Sequence, residues 1–159
     1  MLNRVPITPN GYQKMQEELS RLLKVDRPKN IRDIAEARAH GDLSENAEYH
    51  AAKEQQSFAE GRIAEIERKL SNAQIIDITK VDANGKVVFG ATAEIEDIES
   101  EKRVTYQIVG EDEASIKEGR ISIGSPIARV LIGKEVDDVV TVKAPGGNVD
   151  YEIISIKYI

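Results

Sequence analysis

Asp42 and Glu45 lie three residues apart in the run His40-Gly41-Asp42-Leu43-Ser44-Glu45-Asn46-Ala47-Glu48-Tyr49. Carboxylates at that spacing on the first turn of a helix can face the same way. They offer hard anionic oxygens. Magnesium commonly takes one or two such groups and completes its shell with water and substrate phosphates. Two acids alone hold the ion poorly, so they serve best by completing another molecule's metal site. The same residues also read as a capping box, with Asp42 as N-cap and Glu45 reaching back. Both readings can hold together, because a cap uses only some of a carboxylate's acceptor sites. Glu48, one turn on, reads as a solvated helix face. His40 and His50 flank the run, but the chain has no Cys and no close His pair, which makes zinc a poor fit. Arg38 and Lys53 set positive charge beside the acids, suited equally to a phosphate or to solvent.

The elements around the run are long and helical. Thr8 suits an N-cap, with Pro9 at the first helical position. Tyr12, Met15, Leu19 and Leu22 follow at the spacing of a coiled-coil seam. Pro28 predicts a kink or break near Arg27, because it removes one helical hydrogen bond. The stripe resumes in shifted phase at Ile31, Ile34 and Arg38, as a stutter would produce. Gly41 reads as a left-handed C-cap. A second helix is expected from Asp42–Glu45 to about Ala73, with Tyr49, Ala52, Gln56, Ala59, Ile63, Ile66, Leu70 and Ala73 on its seam. As a helix, residues 45–73 would span roughly 43 Å. The short link makes the two helices antiparallel and puts the acids at the far end of a rod.

After Ile78 the period changes. Ala93 and Ile95 alternate with Thr92, Glu94 and Glu96, and Val104, Tyr106 and Ile108 alternate with Arg103, Thr105 and Gln107. Both patterns read as half-buried strands. Ala144-Pro145-Gly146-Gly147-Asn148 is a turn between Val139–Val142 and Val149–Ile156, a hairpin. Ser125-Pro126 opens a short helix through Ile132 that Gly133 closes. The expectation is an α+β chain, with a helical hairpin over residues 1–78 and an antiparallel sheet domain with one short helix over 79–159.

The chain has 159 residues and a formal net charge of −6. Residues 1–78 carry 12 Lys and Arg against 13 Asp and Glu, and residues 79–159 carry 10 against 15. Neither half is basic, so bulk attraction to a nucleic-acid backbone should be weak. The absence of Cys excludes disulfides and fits a reducing cytosol. No apolar run reaches a membrane span, and the N-terminus lacks an apolar signal core.

The segments GDLSENAEYHAAKEQQ and EGRIAEIERKLSNAQIID resemble the transcript cleavage factors of bacterial RNA polymerase, the Gre family. VVFGATAEI, YQIVGEDEA, SPIARVLIGKEVDDVV and APGG resemble the same family's C-terminal domain, in collinear order. The acidic balance is similar to the family's less basic branch. The resemblance implies an antiparallel coiled coil followed by an FKBP-like sheet domain. That domain would dock beside the polymerase's secondary channel while the coiled coil carries its tip to the active centre. There the family induces the polymerase to hydrolyse the RNA 3′ end extruded in backtracked complexes. Asp42 and Glu45 match the acidic tip residues and would help hold the second catalytic Mg of the polymerase, with no metal bound stably by the free protein. Ser44 and Asn46 share the tip and would position RNA or water. Lys53 stands where the family is expected to carry Arg, which keeps the charge and loses a bidentate phosphate contact. Ser125 and Pro126 match the docking region. The implied partners are bacterial RNA polymerase and the nascent RNA 3′ end, with no membrane. The implied state is a cytoplasmic monomer that is not itself an enzyme.

Three other readings compete. A channel binder of this architecture could inhibit polymerase, although the intact acidic pair speaks against it. A prolyl isomerase would share the FKBP-like fold, but fold does not confer function. That chemistry needs an aromatic-lined pocket, and the second half holds only Phe89, Tyr106, Tyr151 and Tyr158. A structural coiled-coil adaptor would leave the acids as caps alone.

Overall fold

The structure is a computed structural model, and it describes residues 4–42 and 45–159. The chain divides into two compact units, one holding Tyr12–Ala73 and the other Arg4–Gly11 with Gln74–Ile159.

In the first unit the sequence periodicity becomes an antiparallel helical hairpin. Helix α1 spans Pro9–Arg21, α2 spans Arg27–Arg38 and α3 spans Ala47–Asn72. At 1.5 Å per residue, the 26 residues of α3 extend about 39 Å. Arg62 Nε meets Glu18 Oε2 at 2.7 Å, and Arg27 Nη2 meets Glu60 Oε1 at 2.8 Å. Near the end of the hairpin, Asn46 Nδ2 donates to the Ala37 carbonyl at 2.6 Å. Numbers therefore rise on one arm as they fall on the other. The seam of α3 follows its expected phase, with Ala52, Ala59, Ile63 and Ile66 buried.

Pro28 does not break the first arm. Leu22–Asp26 instead forms a π-helical turn that joins α1 to α2, with the Arg27 N–H bonded five residues back to the Leu22 carbonyl. In a regular α-helix the proline ring would meet the carbonyl of Lys24. A wider turn just ahead of it relieves that clash, the usual setting of a π-bulge. The widened turn also inserts a residue, which corrects the expected seam. Asn30 and Ala37 are buried and Ile34 is half-buried, whereas Ile31 is 56% exposed and Arg38 faces solvent. Asn30 is a polar seam residue, and among the described residues no buried side-chain nitrogen or oxygen lacks a partner.

In the second unit, β3 (Thr92–Asp97), β4 (Arg103–Val109), β5 (Arg120–Ser122), β6 (Val139–Ala144) and β7 (Gly147–Lys157) form one sheet in the order β5-β4-β3-β7-β6. The pairings are antiparallel except at the β4–β5 edge, where β5 runs parallel to β4. The β6–β7 hairpin turns at Pro145–Gly146, with Ala144 opposite Gly147. A bulge falls between Glu94 and Ile95 where β3 meets β7. Inward-facing Ala93, Ile95, Ile108 and Ile153 pack with Ala128 and Leu131 of the short helix α4 (Pro126–Leu131) into one aliphatic core. Aliphatics dominate because the chain has few aromatics to offer.

Two further strands, β1 (Val5–Ile7) and β2 (Ala73–Ile75), pair in a small separate sheet. Residues Arg4–Gly11 thus belong with the sheet unit, and Glu113 holds them there. Its carboxylate accepts from the Thr8 N–H at 3.1 Å, from the Gly110 N–H at 2.9 Å and from the Thr8 hydroxyl. Thr8 in turn caps α1, its Oγ1 accepting from the Gly11 N–H at 3.1 Å. The carboxylate packs so closely on Gly11 that a side chain there would have to displace it.

Removing the Glu113 carboxylate leaves several donors unpaired, and hydrogen bonds to a charged group each contribute on the order of 1.5–3 kcal/mol. The Glu113→Ala variant is expected to lose about 2–3 kcal/mol in urea unfolding, with faster amide exchange at Thr8 and Gly110. Exposed Glu99→Ala should stay within about 0.5 kcal/mol of the parent. Equal stability of the two variants would remove Glu113 as the anchor.

Candidate functional site at the hairpin end

The acidic run joins the two long helices, and its local structure differs from the capping box that the sequence suggests. Helix α2 ends at Arg38, and a turn follows in which His40 N–H reaches the Ala37 carbonyl at 3.1 Å. Gly41 has φ of +115°, a conformation open to glycine, but it lies beyond the C-cap residue Ala39 and does not itself cap the helix. Helix α3 begins at Ala47, later than expected. Its N-cap is Asn46, whose Oδ1 accepts from the Tyr49 N–H at 3.0 Å. Asp42 lies four residues outside that cap. Asparagine and aspartate cap about equally well. Asn46 prevails for a further reason: its amide donates as well as accepts, and the donor reaches the carbonyl of buried Ala37.

Asp42 and Glu45 are both exposed. Capping of α3 falls to Asn46, so neither acid fills that structural role. Ser44 lies outside the described residues. Asn46 is half-buried, and its amide is engaged with both helices. The Arg38 guanidinium stands over the Tyr49 ring, 5.9 Å from its centroid, in cation–π range. Tyr49 meets His50 edge-on at 5.6 Å. His40 Nδ1 lies 3.9 Å from Glu48 Oε2, both largely exposed. Lys53 is exposed, and its Nζ bonds Gln56 Oε1 at 3.3 Å. The end of the hairpin therefore presents two acids beside a cationic and aromatic cluster. The Asn46 bridge and the Arg38–Tyr49 stack escaped sequence reasoning. An asparagine directly before a helix pattern is the one signal that pointed to the former.

Magnesium is the cation that these hard carboxylate oxygens suit. Among the described residues, no group of three or more His, Cys, Asp or Glu side chains is arranged to hold a metal.

In the sheet unit, Ser125 caps α4 and Pro126 opens it. Ser125 Oγ accepts from the Ala128 N–H at 3.3 Å and donates to the Ser122 carbonyl at 2.7 Å. Pro126 is exposed while the hydroxyl is occupied by the fold. An open groove of about 310 Å³ beside α4 is lined by Arg129, Val130, Ile132, Lys134, Val139, Val140 and Thr141. It contains no aromatic residue. Phe89 is buried, while Tyr106, Tyr151 and Tyr158 pack against the core. Among the described residues, no helix is long and apolar enough to cross a membrane.

Residues 5–75 match the N-terminal domain family of transcription elongation factors, and residues 82–158 match the GreA/GreB C-terminal domain family. The chain is 66% identical to transcription elongation factor GreA of Thioalkalivibrio sulfidiphilus and to that of Methylococcus capsulatus, across 99% of this chain and 100% of each relative. It is 60% identical to GreA of Yersinia pestis over the same shares. Among solved structures it is similar to GreA factor homolog 1 of Thermus thermophilus, with 27% identity, TM-score 0.44, and coverage of 97% of this chain and 99% of that one. The GreA/GreB elongation factor of Nitrosomonas europaea gives 16% identity and TM-score 0.43, covering 98% of both chains. With two family matches in collinear order and full-length relatives at this identity, the chain belongs to the GreA/GreB family of transcription elongation factors.

Proposed function

We propose that this elongation factor binds bacterial RNA polymerase at the secondary channel and stimulates the polymerase's own cleavage of the RNA 3′ end in backtracked complexes. The observation that carries the reading is the division of labour at the hairpin end. Asn46 caps α3, while Asp42 and Glu45 stay exposed beyond it. Exposed acids at the end of a helix about 39 Å long have reach and anionic charge. In this reading the sheet unit docks on the polymerase, with Ser125 and Pro126 in the docking region. The hairpin brings the acids to the active centre.

The two carboxylates would supply oxygen ligands toward the second catalytic magnesium of the polymerase. Such an ion, when bound, activates water and stabilises charge on the phosphate in an in-line displacement. Water adds to the phosphorus, and the bond to the upstream 3′ oxygen breaks. That oxygen takes up a proton and becomes the new RNA 3′ hydroxyl, in register with the active site. The released fragment keeps the phosphate. Arg38 and Lys53 sit near enough to the acids in sequence to offset RNA charge. Hydrolysis belongs to the polymerase, so the factor alone is proposed to be no nuclease, and a cytoplasmic monomer suffices. The acids favour stimulation over inhibition of the polymerase, and the aromatic-free groove beside α4 gives no support to prolyl isomerase chemistry.

Charge at the acids can be removed with little change in shape. Asp42→Asn with Glu45→Gln is expected to fold and to compete for polymerase like the parent, because neither residue caps a helix. Stimulated cleavage of RNA in a backtracked complex should fall at least roughly tenfold, about 1.4 kcal/mol in the barrier. Full stimulation by the double variant would refute the assignment.

A further inference from the structure

We infer that Asn46 is a positioning residue for the acidic pair, a role that rests on the cleavage reading above. One side chain joins the last turn of α2 to the first turn of α3. Its Nδ2 donates to Ala37 O at 2.6 Å, and its Oδ1 accepts from Tyr49 N at 3.0 Å. Asp42 and Glu45 both lie in the chain between those two anchor points. Any spreading of the helix ends would move both acids, because they are attached on either side of the turn. Ala37 is only 2% exposed, so its carbonyl meets the amide in a partly dry setting where a hydrogen bond is stronger. The Arg38 guanidinium over Tyr49 braces the same two helix ends. A catalytic group displaced by about 1 Å can lose on the order of a hundredfold in rate, which makes such a brace consequential.

The donor can be deleted without deleting the cap. Asn46→Ser and Asn46→Asp both retain a good N-cap oxygen for Tyr49. Neither can donate to Ala37 O as Asn46 does: serine is too short, and the aspartate carboxylate would face that carbonyl with lone pairs opposed. Maximal cleavage stimulation is expected to fall at least fivefold in both variants. The concentration giving half-competition for polymerase should stay within twofold. A residue that merely starts a helix would leave the maximal rate untouched, because both replacements start helices well. An unchanged maximal rate, or a loss matched by equal loss of polymerase competition, would overturn the proposal.

A second measurement separates this proposal from the functional reading. The chain has no cysteine, so spin labels can be set at Glu36→Cys and Glu48→Cys, both exposed. The distance distribution between them should broaden in the serine and aspartate variants. An unbroadened distribution would sink the brace even if cleavage fell. Failure of the parent protein to stimulate any cleavage, with broadening present, would instead sink the functional reading alone.

Discussion

Where two helices reverse direction, the backbone groups of both ends need partners. Four carbonyls at the end of α2 and four N–H groups at the start of α3 have no intrahelical match. The turn residues and Asn46 meet part of that demand, Asn46 from both sides at once. An aspartate could cap α3 but could not also donate to α2. The asparagine therefore caps α3, and the exposed Asp42 and Glu45 lie outside that cap. The chemistry proposed for this protein depends on that separation. Acids consumed by capping would have less capacity left for a cation.

The rod behind this turn is built to tolerate its own irregularity. Pro28 would break a regular helix, but the π-turn over Leu22–Asp26 carries the chain past it. The Arg27–Glu60 pair lies just beyond the widened turn and ties the arm to α3 with two hydrogen bonds of 2.9 and 2.8 Å. Arg27 holds the Glu60 carboxyl below its ordinary pKa, chiefly through those bonds. The pair is exposed, so its worth lies in orientation more than in energy. The hairpin keeps its length past the proline, the quantity on which the proposed reach depends.

Much of this was legible from residues, and the exceptions have physical causes. The seam of α3 follows its sequence pattern because the helix holds no proline and runs unbroken through Gly61. The seam of α2 does not. A π-turn adds a residue that leaves no mark in composition, so Asn30 and Ala37 point inward where Ile31 and Arg38 were expected. Strand β3 and the β6–β7 hairpin show clear alternation and a Pro-Gly turn. Strands β1, β2 and β5 have three residues each, too few for a period to emerge. The parallel pairing of β5 with β4 follows from the path of the intervening chain and is invisible to local pattern. At the hairpin end, the position of the acids between the two long helices was legible. Their supposed cap was misplaced because Asp42 and Asn46 are both good N-caps, and only the second role of the amide distinguishes them.

The central claim is that exposed carboxylates at the hairpin end strengthen a magnesium site that the polymerase only partly supplies. Single-turnover RNA cleavage by a stalled, backtracked polymerase, titrated with magnesium with and without saturating factor, addresses it directly. Added carboxylate ligands should lower the magnesium concentration for half-maximal cleavage, as binding that favours one state shifts apparent affinity. The account predicts a clear drop, abolished by Asp42→Asn with Glu45→Gln. A higher rate with an unchanged magnesium midpoint would contradict it and point to RNA positioning as the source of stimulation.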